Sequence, residues 1–184
     1  MAMTHYVALI RGINVGGKNP VPMAELRADF EAAGFGDVRT YIQSGNVLFS
    51  SDKPAASLEE TIEAFLEERY STSLMVVVRS HRQLRSIVEK APKGFGDSPD
   101  TYHSDVIFLR SPLTPKAAMA VVRLRDDVDQ AWTGTRVLYY ARLSAQRTRS
   151  LMSKIVGTPE YKQMTIRSWA TTTKLLTMLD DGPS

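Results

Sequence analysis

Tyr6-Val-Ala-Leu-Ile-Arg-Gly12 and Asp105-Val-Ile-Phe-Leu-Arg-Ser111 carry one pattern, an apolar run ending in arginine, at positions ninety-nine residues apart. A run this short without polar alternation predicts a strand buried on both faces. Further correspondences follow in the same order. Pro22-Met-Ala-Glu-Leu26 answers to Pro115-Lys-Ala-Ala-Met119, each with a proline suited to a first helical turn, where no amide donor is needed, the second behind a Thr114 N-cap. Gln43-Ser-Gly-Asn-Val-Leu-Phe49 answers to Trp132-Thr-Gly-Thr-Arg-Val-Leu-Tyr139 with one residue inserted. Matches that drift in spacing but keep their order read as an internal repeat.

Between these anchors the first half alternates strand and helix. Met23, Leu26, Phe30 and Ala33 recur at helical spacing until Gly34. Val38, Thr40 and Ile42 alternate with Arg39, Tyr41 and Gln43, and Ser44-Gly-Asn46 joins them to Val47-Leu-Phe49 as a hairpin. Ser57-Leu-Glu-Glu60 has the form of a capping box, with Leu58, Ile62, Phe65 and Leu66 behind it, and Leu74 to Val78 is a buried strand. The order βαββαβ predicts an α+β fold whose antiparallel sheet has both helices on one face, a ferredoxin-like unit over residues 1–79. Ser80-His-Arg-Gln83 is a second capping box opening a connecting helix, and Ala91 to Thr101 reads as an exposed linker, so that 80–103 joins the units. From 104 to 184 the pattern predicts a second ferredoxin-like repeat. It includes a helix from about Ser144 to Gly157, a brief strand at Met164-Thr-Ile166, and a final helix capped by Ser168.

Composition narrows the function classes. The chain has 184 residues, 43% hydrophobic and 23% charged, with a net charge of +3 and no cysteine. Thiolate chemistry and disulfides are excluded, and with no signal-like or membrane-spanning run the expected location is cytoplasmic. The basic excess is concentrated late. Arg136 to Lys174 holds eight basic residues against the single acid Glu160, and Arg147, Arg149, Lys154, Arg167 and Lys174 form a candidate secondary basic surface. His5, His81 and His103 are too scattered to predict a metal site, and nothing in the sequence calls for a cofactor. Paired carboxylates such as Glu59-Glu60 read as solvated charge.

With these residues in view, the chain resembles the bacterial family called domain of unknown function 1697. The resemblance rests on Tyr6 to Lys18, Val21-Pro-Met23 and Val38 to Val47, and at the far end on Thr165-Ile-Arg-Ser-Trp169 with Lys174-Leu175. At Ser168 and Ala170 the family's closing motif leads one to expect asparagine. The resemblance implies the two-repeat α+β architecture and supplies no established activity.

The candidate site is the glycine loop Arg11-Gly-Ile-Asn-Val-Gly-Gly-Lys18. In a ferredoxin-like unit it shares one sheet end with the hairpin between the second and third strands, which brings Arg11, Asn14, Gly16, Gly17 and Lys18 toward Gln43, Ser44 and Asn46. Glycines turn successive amides toward an oxyanion, while Arg and Lys supply charge. The expected ligand is phosphorylated or otherwise anionic, nucleic acid included. The competing reading is that the glycines serve a tight crossover whose polar side chains cap the loop itself. Two further alternatives are an enzyme acting on a phosphate or acyl-phosphate substrate, by analogy with acylphosphatases, and an interaction module without a small ligand. The loop also nearly matches a P-loop, but Asn19 replaces the magnesium-binding hydroxyl, and Pro20 and Pro22 prevent a helix from starting behind Lys18.

Overall fold

The computed structural model describes residues 2–14 and 20–183. The fold is α+β, with two four-stranded antiparallel sheets. Two compact units are formed, Met1–Arg85 together with Leu175–Ser184, and Ser86–Lys174.

The first unit contains β1 (Thr4–Ile10), α1 (Met23–Ala32), β2 (Gly36–Tyr41), β3 (Asn46–Ser51), α2 (Ala55–Tyr70) and β4 (Val76–Ser80), in the sheet order β2-β3-β1-β4. β1 is central, which is why its run from Tyr6 to Ile10 is apolar throughout and buried. Tyr6, Ala8 and Ile10 join Val47, Phe49, Val76 and Val78 in one cluster with Leu26 and Phe30 of α1 and Leu58, Ile62 and Leu66 of α2. Alternate residues point to opposite faces of a strand, so both helices cover the same face. On the other face Arg39 of β2 donates to the carbonyls of Met178 (3.2 Å) and Gly182 (3.1 Å), tying the C-terminal stretch to this sheet.

Three sequence expectations change here. The box at Ser57 does not cap a helix, because α2 starts two residues earlier behind Pro54, and the Ser57 hydroxyl donates to the Pro54 carbonyl instead. The inward alternation of β2 stops at Tyr41, since Ile42 takes a left-handed turn conformation (φ 48°) and is exposed. Glu59, expected in solvent beside Glu60, is buried. β4 lies at a sheet edge, and its outward amides need acceptors. Glu59 takes the Val78 N–H at 2.9 Å and Glu63, one helical turn on, takes that of Val76 at 3.0 Å.

The second unit begins within α3 (His81–Glu89) and contains β5 (Tyr102–Leu109), α4 (Pro115–Val121), β6 (Asp129–Gly134), β7 (Val137–Leu143) and β8 (Met164–Ser168), before α5 (Trp169–Asp181). Its sheet runs β6-β7-β5-β8, and Ile107, Leu109, Leu138, Tyr140, Ala118, Met152, Ile155 and Met164 form its core. The Ser80, Thr114 and Ser168 caps form as the sequence predicts, each side-chain oxygen accepting a first-turn amide at 3.1 Å.

The helix expected from Ser144 is instead a set of 3-10 turns over Ser144–Arg149, Met152–Gly157 and Pro159–Gln163. A buried carboxylate explains the break. Asp129 accepts the Ser150 hydroxyl at 2.6 Å and the Leu151 N–H at 2.9 Å, giving these groups an acceptor outside any helix. The stretch expected to be an exposed linker is packed as well. Phe95 is buried between Gly94 (φ 82°) and Gly96 (φ 78°), and its ring meets Trp132, Tyr139 and Trp169 edge-on.

Candidate functional site

Where β1 ends, two backbone hydrogen bonds fix the start of the glycine loop. The Ile10 N–H donates to the Gly45 carbonyl of the hairpin and the Arg11 N–H to the Met75 carbonyl just before β4, both at 2.9 Å. The second unit repeats this at the end of β5, where Leu109 N–H donates to Arg136 O (3.1 Å) and Arg110 N–H to Gln163 O (2.9 Å). Arg11 is half-buried at this sheet end, and Gln43 in the facing hairpin is exposed.

The asparagines of the loop and the facing hairpin have work of their own. Asn14 takes a left-handed conformation (φ 55°), accepts the Val21 N–H at 2.7 Å, and donates to the carbonyls of Val21 (2.8 Å) and Gln43 (3.0 Å). That side chain closes the loop on itself and on the hairpin. Asn46 is fully buried, donating to the Tyr41 carbonyl at 3.1 Å and the Ser44 hydroxyl at 3.0 Å. Gly45 is required where it stands. A Cβ there would lie 2.4 Å from Ile13 Cγ2 and 2.9 Å from the Ile10 carbonyl oxygen. Gly16, Gly17 and Lys18 lie outside the described residues.

Among the candidate basic residues Arg147, Arg149, Lys154 and Lys174 are exposed, whereas Arg167 is buried in β8. Burial pushes the Arg167 guanidinium down to about 10, and its Nη1 donates to Thr165 Oγ1 (2.7 Å) and the Ile166 carbonyl (2.9 Å). Arg79 is its counterpart in β4, where Nη1 donates to the Val78 carbonyl at 3.0 Å and lies 3.8 Å from Glu59 Oε2. Each arginine precedes the serine that caps the next helix. Sequence reasoning missed this pairing, although Arg79-Ser80 and Arg167-Ser168 stand at matched places.

A second polar cluster lies on the helix-covered side of the second sheet. Burial raises the Asp105 carboxyl, opposed by nearby His103, Arg142 and Arg147, and His103 Nε2 is 3.3 Å from Asp105 Oδ2. Asp129 goes the other way, since donation from Leu151, Ser150 and Arg125 overcomes the effect of burial and holds its carboxyl below the usual range. Among the described residues no three His, Cys, Asp or Glu side chains gather as metal ligands, and no helix is long and apolar enough to cross a membrane.

The model of the family described as protein of unknown function (DUF1697) matches residues 3–139, which includes the Arg11 loop, the facing hairpin and β5 with its arginine. The chain belongs to the DUF1697 family. A solved structure agrees, that of the conserved bacterial protein SP0830 from Streptococcus pneumoniae, which is 31% identical over 97% of this chain and 99% of its own, with a TM-score of 0.83. An unknown protein from Galdieria sulphuraria aligns over 91% of this chain and 98% of its own at 15% identity, but its TM-score of 0.28 carries no argument. No curated protein matches the chain.

Proposed function

We propose that this DUF1697 protein is built from two ferredoxin-like repeats and binds a phosphorylated or other anionic ligand at the loop end of the first, with Arg11 as the charged contact. The strand order β2-β3-β1-β4 and its parallel β6-β7-β5-β8 support the repeat. The observation that carries the ligand reading is the fixed seat of Arg11. Its amide is tied to Met75 and the preceding amide to Gly45, so its side chain leaves the sheet end from a fixed backbone position. A charge held on a rigid element binds with less ordering cost than one on a free loop.

One observation favours a second reading, that the loop is a self-capped crossover. Asn14, Ser44 and Asn46 direct their hydrogen bonds to each other and to the surrounding backbone. In the ligand reading these residues shape the loop and Arg11 makes the contact. Titration with inorganic phosphate, a nucleoside monophosphate and a short single-stranded oligonucleotide at low salt separates the two. Saturable binding that weakens with salt and is lost in Arg11→Ala supports the ligand reading. No binding by any of the three, or binding indifferent to Arg11→Ala, leaves the self-capped crossover.

A further inference from the structure

At the end of the second sheet, where β5 begins and β8 passes into α5, there is a cleft of about 580 Å³, within the size range of small-molecule sites. Tyr102, Pro99 and Trp169 give it an apolar and aromatic wall, and the small residues Ser168 and Ala170 leave its space open. The wall is braced. Phe95 meets the Trp169 ring edge-on (5.1 Å between centroids, 87°), and Gly96 lies so close beneath that ring that a Cβ would fall 2.1 Å from Trp169 Cδ1. Trp132, on the other side of Phe95, lines a smaller cavity of about 190 Å³ that shares Gly96, Tyr102 and Ser104 with the cleft.

Ser104 is the telling residue. It lines both spaces, is more than nine-tenths buried, and its hydroxyl has no hydrogen-bond partner. A buried polar atom in that condition needs an explanation, and a turn of the Ser104 side chain toward the cleft gives the hydroxyl a partner on a bound ligand. His103 lies at the cleft with its Nε2 already held by Asp105. Ser104 and His103 are neighbours on one strand and point to opposite faces, so they do not form a nucleophile and base. No Lys, Arg, Asp or Glu lines the cleft among the described residues, so nothing there compensates a ligand charge.

We propose that this cleft binds an uncharged heteroaromatic small molecule of nucleobase size, stacked on its aromatic wall and hydrogen-bonded to Ser104. Apolar and aromatic lining selects a flat ring, and the buried hydroxyl selects a ring with a polar edge over a hydrocarbon of the same shape. The site is independent of the Arg11 loop.

The test is a titration of the full chain with adenine, uracil and, as an apolar control, naphthalene, followed by the two tryptophan indole N–H signals in nuclear magnetic resonance. Trp132→Phe identifies which signal belongs to Trp169. The expected result is a saturable shift of the Trp169 signal with at least one base. Ser104→Ala weakens that base about tenfold, the worth of one hydrogen bond, and Ala170→Phe, at an exposed position on the first turn of α5, abolishes it by filling the cleft. No shift with either base overturns the proposal, as does a shift that survives both substitutions or is matched by the control.

Discussion

Replacing Glu59 tests the most unexpected feature of the first unit, a carboxylate on α2 that closes the edge of the sheet. The side chain is 3% exposed, accepts the Val78 N–H at 2.9 Å and lies 3.8 Å from Arg79 Nη1. At that separation two unit charges attract by about 4 kcal/mol for an effective dielectric of about 20, before desolvation is subtracted. Leaving the Val78 amide buried without an acceptor costs about 1–3 kcal/mol. Breaking a buried pair from one side typically costs about 3–5 kcal/mol, since the remaining charge keeps its desolvation penalty. Glu59→Ala is therefore expected to destabilise by about 3–5 kcal/mol, a large share of the roughly 5–15 kcal/mol typical of a domain. Glu59→Gln retains an acceptor for Val78 and loses only the charge, so it should fall between wild type and Ala. The neighbouring Glu60 is exposed, and Glu60→Ala should stay within about 0.5 kcal/mol. Urea unfolding of the three variants gives the ranking, and hydrogen exchange at the Val78 amide reports the same bond locally. Equal urea midpoints for Glu59→Ala and Glu60→Ala would refute the edge-closing role.

Two further outcomes follow from the geometry. Gly45→Ala should destabilise by about 2–4 kcal/mol, because it adds a steric conflict with the Ile10 carbonyl to a left-handed backbone, while Gly12→Ala, at the same φ of 78° but in open space, should cost about 1 kcal/mol; thermal unfolding showing equal losses would contradict the packing at the hairpin. For Asp129, hydrogen bonds hold the folded carboxyl below its unfolded value despite burial, so its stabilisation is present above the unfolded value of about 4 and is lost as pH falls through the folded one. The melting-temperature gap between wild type and Asp129→Asn should accordingly be full at neutral pH and close toward acid; a gap independent of pH would count against the assignment.

The sequence carried the strands, the α+β class and the caps at Ser80, Thr114 and Ser168, though not the one at Ser57. Tyr6 to Ile10 announces a central strand because burial on both faces leaves no room for polar alternation. Ser80, Thr114 and Ser168 announce helix starts because a cap and the amide it satisfies lie within one turn. At the candidate site the juxtaposition of Asn14 with Gln43 followed from strand order alone, since a loop after β1 and a hairpin beside it must share a sheet end. The use Asn14 makes of that proximity did not, because nothing in its neighbours says whether a polar side chain will meet a ligand or a loop amide.

Tertiary structure decided the rest. Glu59 and Glu60 are the same residue type, adjacent in the chain, and only the position of edge strand β4 beneath α2 buries one and leaves the other in water. Asp129 is one buried carboxylate more than twenty residues upstream, yet it takes the groups that a helix through Ser150 would have used. Phe95 lies in a stretch whose glycines and prolines read as a linker, and only the aromatic rings it meets make it a packed wedge. Local pattern specifies what a segment can form alone; which polar group is buried, and against what, depends on partners distant in the chain.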